Sequence, residues 1–192
     1  MTSECEEAVV RAELTDELVA DAAAGDPDAR GAIYRALAPQ VLGYLKARGV
    51  DDPEAVTNDV FLQLLPQLGK VSGGAEGVRR LTFTIARARM VDAARARSRS
   101  APTVPYQPEV DARTVGSAED AAHAALSLAR VQAVLEVLPD DQRDVLTLRV
   151  VADLSIEQVA AIMGRSVGAV KQLQRRGMVA IRQALAERRV TL

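Results

Sequence analysis

Apolar residues recur along this chain three and four positions apart and almost never alternate, a pattern that predicts helices and hardly any strand. Thr15 stands as an N-cap before a first helix over about 16–24, which Gly25 ends. Asp26-Pro27 is an N-cap followed by a first-turn proline. The helix it opens carries Ile33, Leu37, Val41, Leu42 and Leu45 on one stripe, and Gly49 stops it. Asp52-Pro53 repeats the start signal. There Val56, Val60 and Leu64 form the stripe, with Phe61 and Leu68 beside it and Pro66 as a limit. A loop is expected from Gly69 to Gly77. After it, a helix is expected from about Val78 to Arg97, with Leu81, Ile85 and Ala88 or Val91 inward and the arginines outward.

Residues 98–117 hold three prolines and no apolar period, which reads as an extended linker. Ser117 then caps a helix running to about Val137, with Leu126, Leu128, Val131, Val134, Leu135 and Leu138 apolar. Pro139 starts another over about 140–151, carrying Val145, Leu146, Leu148 and Val150. In Ser155-Ile156-Glu157-Gln158 the spacing of hydroxyl and amide is that of a capping box. The short helix it opens is expected to bury Ile156, Val159, Ala160 and Met163. Gly164 is a left-handed C-cap, and Ser166 caps a longer helix after the tight turn Gly164-Arg165-Ser166. Short helix, glycine-containing turn and longer helix make a helix-turn-helix. On the second helix Val170, Leu173, Gly177, Ile181 and Leu185 form the inward stripe, leaving Lys171, Gln172, Arg175, Arg176 and Arg182 outside. Lys and Arg can read guanine, Gln can read adenine, and all can hold phosphates in a major groove. Ser166 and the helix N-terminus could hold a phosphate.

The expected fold is therefore all-α. Two small helical domains are joined by a flexible linker, and the C-terminal one contains the helix-turn-helix. The divisions are an acidic arm at 1–13, a first domain at 14–97, the linker at 98–117 and a second domain at 118–192. Of the 192 residues, 48% are hydrophobic, enough for a shared core in each domain. Charges or glycines interrupt every apolar run before the roughly 18 residues a membrane span needs. The start, MTSECEEAVVRAEL, has neither a basic n-region nor an apolar h-region, so no signal peptide and a cytoplasmic location are expected.

The scarce residues narrow the chemistry. One Cys (Cys5) and one His (His123) exclude an internal disulfide and a Cys/His-rich zinc site. His123 lies in an Ala/Leu helix with no acid fixed beside it. Gly69-Lys70-Val71-Ser72-Gly73-Gly74 lacks both the earlier glycine and the Ser/Thr after lysine of a phosphate-binding loop. No catalytic residues, cofactor or metal are expected, and the chain is not read as an enzyme.

The formal net charge of −2 conceals segregation. Residues 1–28 carry nine acids against Arg11. Residues 79–99 carry seven arginines against Asp92, and residues 165–189 carry six arginines and Lys171 against Glu187. A charge run is often only a solvated face. Two separate basic helices in a chain of pI 5.6 fit two local anionic contacts, and nucleic-acid backbone is the common partner.

The stretch 138–185 closely resembles the −35-reading domain of bacterial sigma-70 family factors of the extracytoplasmic-function group. The resemblance lies in the Leu138-Pro139 start, Gln142-Arg143, the Leu154-Ser155 turn and Ser166-Val-Gly-Ala-Val-Lys171. More loosely, Asp52-Pro53-Glu54 through Asn58-Asp59-Val60-Phe61-Leu62 resembles that family's helix for the polymerase clamp. Phe83-Thr84-Ile85-Ala86-Arg87 through Asp92 resembles its −10 helix. The resemblance implies a non-catalytic factor that binds core RNA polymerase, directs it to promoter DNA and helps open the −10 element. Many such factors are held by an anti-sigma partner. Carried over by position, it implies polymerase contact by Asp59, Phe61 and Leu62. It implies −10 contact by Arg79, Arg80, Arg87 and Arg95, with the loop Lys70 to Gly77 taking a flipped base. It implies −35 contact by Ser166, Lys171, Gln172, Arg175 and Arg176.

The chain departs from the family pattern at four places. Leu81 stands where Trp is common and Ala88 where Asn is. Ala55 replaces an acid and Asn58 a Gln. Core packing is the other reading for Phe61 and Leu62. A stand-alone helix-turn-helix regulator would explain residues 138–188 equally well, but not the second basic helix or the clamp-like one. A helical adaptor with solvated arginines would predict no salt-dependent association with DNA or polymerase.

Overall fold

A computed structural model describes residues 13–99 and 118–190; Cys5, the acidic arm up to residue 12, the Ser117 cap and most of the expected linker lie outside them. Eight helices follow one another, and no strand occurs among the described residues. The first four are α1 (Asp16–Ala24), α2 (Pro27–Ala47), α3 (Pro53–Leu64) and α4 (Gly74–Arg99), with a 3-10 turn (Leu65–Lys70) between α3 and α4. The remaining four are α5 (Ala118–Leu135), α6 (Asp140–Val150), α7 (Ile156–Met163) and α8 (Val167–Val190). No helix among the described residues is long and apolar enough to cross a membrane.

The local signals act as their chemistry requires. Thr15 Oγ1 accepts from Leu18 N at 3.2 Å, and Gly25 ends α1 in the left-handed region. Asp26 accepts from Asp28 N and Ala29 N, and Asp52 from Ala55 N at 2.9 Å. Ser155 and Gln158 exchange both bonds of the capping box, 3.1 and 2.7 Å. Each bond satisfies an amide that a helix start would otherwise leave to water.

The stripes carry the core. Ile33, Leu37, Val41 and Leu45 of α2 are buried, with Val60 and Leu64 of α3 against them. On α4 the buried residues are Val78, Thr82, Phe83, Ile85, Ala86 and Met90. Of the expected inward face of Leu81, Ile85 and Ala88 or Val91, Ile85 is buried and Leu81 and Val91 pack half-buried at the core's edge, while Ala88 is exposed, so the face is rotated. The aromatic Phe83 takes the centre, its ring edge-on to Tyr44 at 6.0 Å. In α7 the fully packed residues are Val159, Ala160 and Ile162, with Ile156 and Met163 half-buried at the rim. On α8 Val170 and Gly177 are buried and Leu173 and Ile181 half-buried, but Leu185, expected on the same stripe, is exposed. A Cβ at Gly177 would lie 2.9 Å from Leu146 Cδ1, so the glycine sets how closely α8 meets α6.

The two halves share one apolar cluster. Val145, Leu148, Ala152, Leu154, Val159, Ala160, Ile162 and Val170 are continuous with the core of α1–α4. α7 packs on α4 and α6 on α2. Gly43 of α2 sits where a Cβ would come 3.3 Å from Val151 Cγ1. Gln132 Nε2 of α5 donates to Lys46 O at the end of α2, 2.6 Å away.

Candidate nucleic-acid interface

Lys171, Gln172, Arg175 and Arg176 lie on the first turns of α8 after the Gly164-Arg165-Ser166 turn, and all four are exposed. Lys171 with Arg175 and Gln172 with Arg176 are four apart, so the donors form two adjacent rows on one side of the helix. Ser166 Oγ accepts from Ala169 N at 3.2 Å, which caps α8. Arg165 pairs with Asp141 at the start of α6, tying the turn to the body of the lobe. α8 is thereby held by Val170 on one side and Gly177 behind, with its cationic rows facing water.

On α4 the cations divide. Arg80 and Arg95 are exposed and Arg79 is half-buried. Arg95 pairs with Asp92 one turn earlier, at 3.8 Å. Arg87 does not face solvent freely. Its Nε lies 2.9 Å from Asp144 Oδ2 on α6. Arg48, at the end of α2, approaches the other oxygen, with Nε 3.2 Å from Oδ1. The side chains of Asp144 and Arg48 are 4% and 8% exposed, that of Arg87 29%. Tyr44 Oη lies 3.5 Å from the same carboxylate and 3.7 Å from Met90 Sδ. Burial, and then the Asp144 charge, push the Tyr44 phenol far above its ordinary range. Arg48 Nη1 is buried without a partner. A buried carboxylate between two guanidiniums thus joins the two lobes. Sequence reading missed it because its members are 57 and 96 positions apart in the chain.

The third group sits on α2 and α3. Asp59 is exposed, and Leu62 is 71% exposed. Phe61 is 2% exposed and packs on Tyr34 with ring centroids 4.6 Å apart, so it supports this face from beneath rather than projecting from it. Tyr34 Oη donates to Asn58 Oδ1 at 3.2 Å. Tyr34 was absent from the sequence reading because it lies off the α2 stripe, next to Ile33.

The expected loop before α4 is shorter than predicted. The 3-10 turn takes residues 65–70 and α4 begins at Gly74, so only residues 71–73 are irregular. Lobe two lies close by: Asp153, Ser155 and Gln158 line one cleft with Ala75, Glu76 and Arg79.

A helix-turn-helix with a basic second helix, packed on a second basic helical lobe, defines a class of DNA-binding regulator. Comparison with known proteins agrees. Residues 134–183 match the family described as Sigma-70, region 4. The chain is 32% identical over 182 residues to the ECF RNA polymerase sigma factor SigD of Mycobacterium tuberculosis, covering 88% of this chain and 82% of that one. It is 31% identical over 174 residues to the ECF RNA polymerase sigma factor BldN of Streptomyces coelicolor, covering 89% and 66%. The fold is that of CnrH, solved in complex with the cytosolic domain of CnrY, with a TM-score of 0.70 at 22% identity over 91% of this chain and 99% of that one. The chain belongs to the ECF RNA polymerase sigma factors, and its role is in promoter-directed transcription.

Proposed function

We propose that this chain binds core RNA polymerase through the α2–α3 face and brings it to a two-part promoter, α4 meeting the −10 element and α8 the −35 element. The observation that carries this reading is the placement of exposed cations on two helices from different lobes, Arg80 and Arg95 on α4 and Lys171, Arg175 and Arg176 on α8. Ser166, Lys171, Gln172, Arg175 and Arg176 are the −35 set. Arg79, Arg80, Arg87 and Arg95, with the segment Lys70 to Gly77, are the −10 set. Asp59 and Leu62 are the polymerase contacts, with Phe61 and Tyr34 holding Leu62 outward. The work asked of these residues is binding and strand separation, with no covalent chemistry. Residues 14–97 and 118–192 act as the two promoter-reading units, with 98–117 as their tether. The place of action is the cytoplasm, where polymerase and DNA are.

The arrangement described here is a resting one. Arg87 reaches Asp144, one turn of α6 from Asp141, and Asp141 pairs with Arg165 beside the α8 cap. Two ion-paired side-chain spans and one helical turn place Arg87 within roughly 30 Å of the α8 N-terminus. The two promoter elements are read as about two turns of duplex apart, a span of about 70 Å. The lobes therefore part before both elements are met, and Arg87 is released as they do. In CnrH the solved complex holds the cytosolic domain of CnrY. An anti-sigma partner, as the family resemblance implies, is the regulator expected for this chain.

The test is binding of the purified chain to core RNA polymerase at moderate salt, with and without Asp59→Arg. Tight association that the charge reversal weakens at least tenfold is the expected result. No association by a folded wild-type chain would overturn the reading and favour a regulator acting without polymerase.

A further inference from the structure

The helix bearing Arg79, Arg80 and Arg87 starts four residues earlier than its own sequence pattern predicts. The group that lets it do so comes from α1. Asp16 Oδ1 accepts from Ala75 N at 2.7 Å, across 59 positions of chain. Gly74 is in the left-handed region at φ +54°, and a Cβ there would fall 2.1 Å from Asp16 Oδ1. The carboxylate thus fills the space a side chain at position 74 would take. Gly77 closes the same turn: its amide donates to Gly73 O at 2.9 Å, and a Cβ on it would lie 2.1 Å from Ser72 O. Gly73 is also left-handed, at φ +92°.

The segment is therefore glycine-rich backbone folded tightly on itself; Ala75 packs on the core, and one side chain from elsewhere, Asp16, holds its amide. That side chain is well anchored. Asp16 is the first residue of α1, Thr15 caps the helix, and Val19 and Ala22 are buried. α1 packs on both α4 and the 3-10 turn, the two elements that flank residues 71–73. A carboxylate oxygen on a first-turn amide supplies the acceptor that a helix start lacks, and its charge suits the positive end of the helix.

We infer that Asp16 is a positioning residue for −10 recognition. Its carboxylate fixes residues 72–77 and the first turn of α4, and so sets which base the segment accepts and where Arg79 and Arg80 point. Asp16 itself touches no DNA. This rests on the reading of Lys70 to Gly77 as the −10 segment.

The experiment uses holoenzyme assembled from the full chain and core polymerase. The probe is a pool of fork-junction DNA with a randomised single-stranded −10 segment, and the bound fraction is sequenced. Asp16→Ala leaves the segment to be ordered when DNA binds, which should weaken binding about fivefold, the same factor by which losing one cap typically lowers a helix's own stability constant, and should flatten the base preference at one position. Asp16→Asn keeps an oxygen acceptor and should restore most of both. Core-polymerase affinity should be unchanged in both variants. Amide exchange at 72–77 should rise in Asp16→Ala and not in Asp16→Asn. An Asp16→Ala holoenzyme that selects the same bases with the same affinity as wild type overturns the inference. So does a loss of core-polymerase binding as large as the loss of −10 binding, which would mark a purely structural role. A wild-type holoenzyme with no base preference in the pool overturns the −10 reading itself and this inference with it. The wild-type arm therefore separates the two failures.

Discussion

Asp144→Ala tests the ionic junction between the lobes. In the wild-type chain the carboxylate lies between Arg48 Nε at 3.2 Å and Arg87 Nε at 2.9 Å, with Tyr44 Oη at 3.5 Å. Its removal leaves the Arg48 guanidinium 92% buried (8% exposed) with only Asp140, 3.7 Å away and itself in water, as a counter-charge. Removing one member of a buried ion pair costs about 3–5 kcal/mol, because the remaining charge stays desolvated. Arg87 is less deeply placed and can turn to solvent, which favours the lower end, about 3 kcal/mol. For a chain of this size that corresponds to a fall in melting temperature of roughly 6–12 °C. The protein has one way to reduce the cost: the lobes can part and let Arg48 reach water. Urea unfolding and small-angle scattering should be measured together. The expected outcome is a lower midpoint, with either an unchanged radius of gyration or a larger one and a broadened transition. Both should persist in 0.5 M salt, since a buried pair is screened little. An unfolding free energy within about 0.5 kcal/mol of wild type, a typical margin for surface substitutions, with unchanged dimensions would refute the reasoning.

Two other perturbations read other parts of the structure. Tyr44 is neutral when folded and has its proton held far above the ordinary value of 10.0. Above pH 10 the unfolded chain therefore binds fewer protons than the folded one, and stability falls as pH rises, by up to about 1.4 kcal/mol per pH unit from this group. Tyr44→Phe should lose that share of the alkaline dependence while changing neutral-pH stability by less than about 1 kcal/mol; identical slopes above pH 10 would count against it. For the holoenzyme on promoter duplex, Arg175→Ala with Arg176→Ala should reduce the slope of log affinity against log salt by about 2, if both side chains neutralise phosphates. An unchanged slope would place both off the DNA backbone.

Much of this protein is written locally. Thr15, Asp26, Asp52, Ser155 and Ser166 each cap the helix that follows them, and Gly25 and Gly164 end theirs, because a cap is a contact within three or four residues. The helix-turn-helix and its exposed donor rows were legible for the same reason: a single helix decides which of its faces carries Lys171 and Arg175. The α2 stripe was legible too, but the α4 stripe was misplaced. Phe83 and Met90 are apolar at a period that fits as well as Leu81 and Ala88, and only the helices opposite choose between the two faces. Phe61 and Leu62 illustrate the same limit. Adjacent apolar residues on a helix point about 100° apart, and nothing local says which one meets the core.

What the sequence determined by itself is the helical architecture, the two basic helices and the family to which they belong. Tertiary structure alone decided where α4 begins, since the acceptor for Ala75 N is Asp16. It also decided that Asp144 draws Arg48 and Arg87 together, that Tyr34 braces Phe61 beneath an exposed Leu62, and that the two lobes share one core. The physical reason is common to all four. Caps and periodicity are short-range contacts that the chain encodes within a few residues. The partner of a buried charge or an open amide is whatever packing brings near, and here that partner lies 57 to 96 residues away.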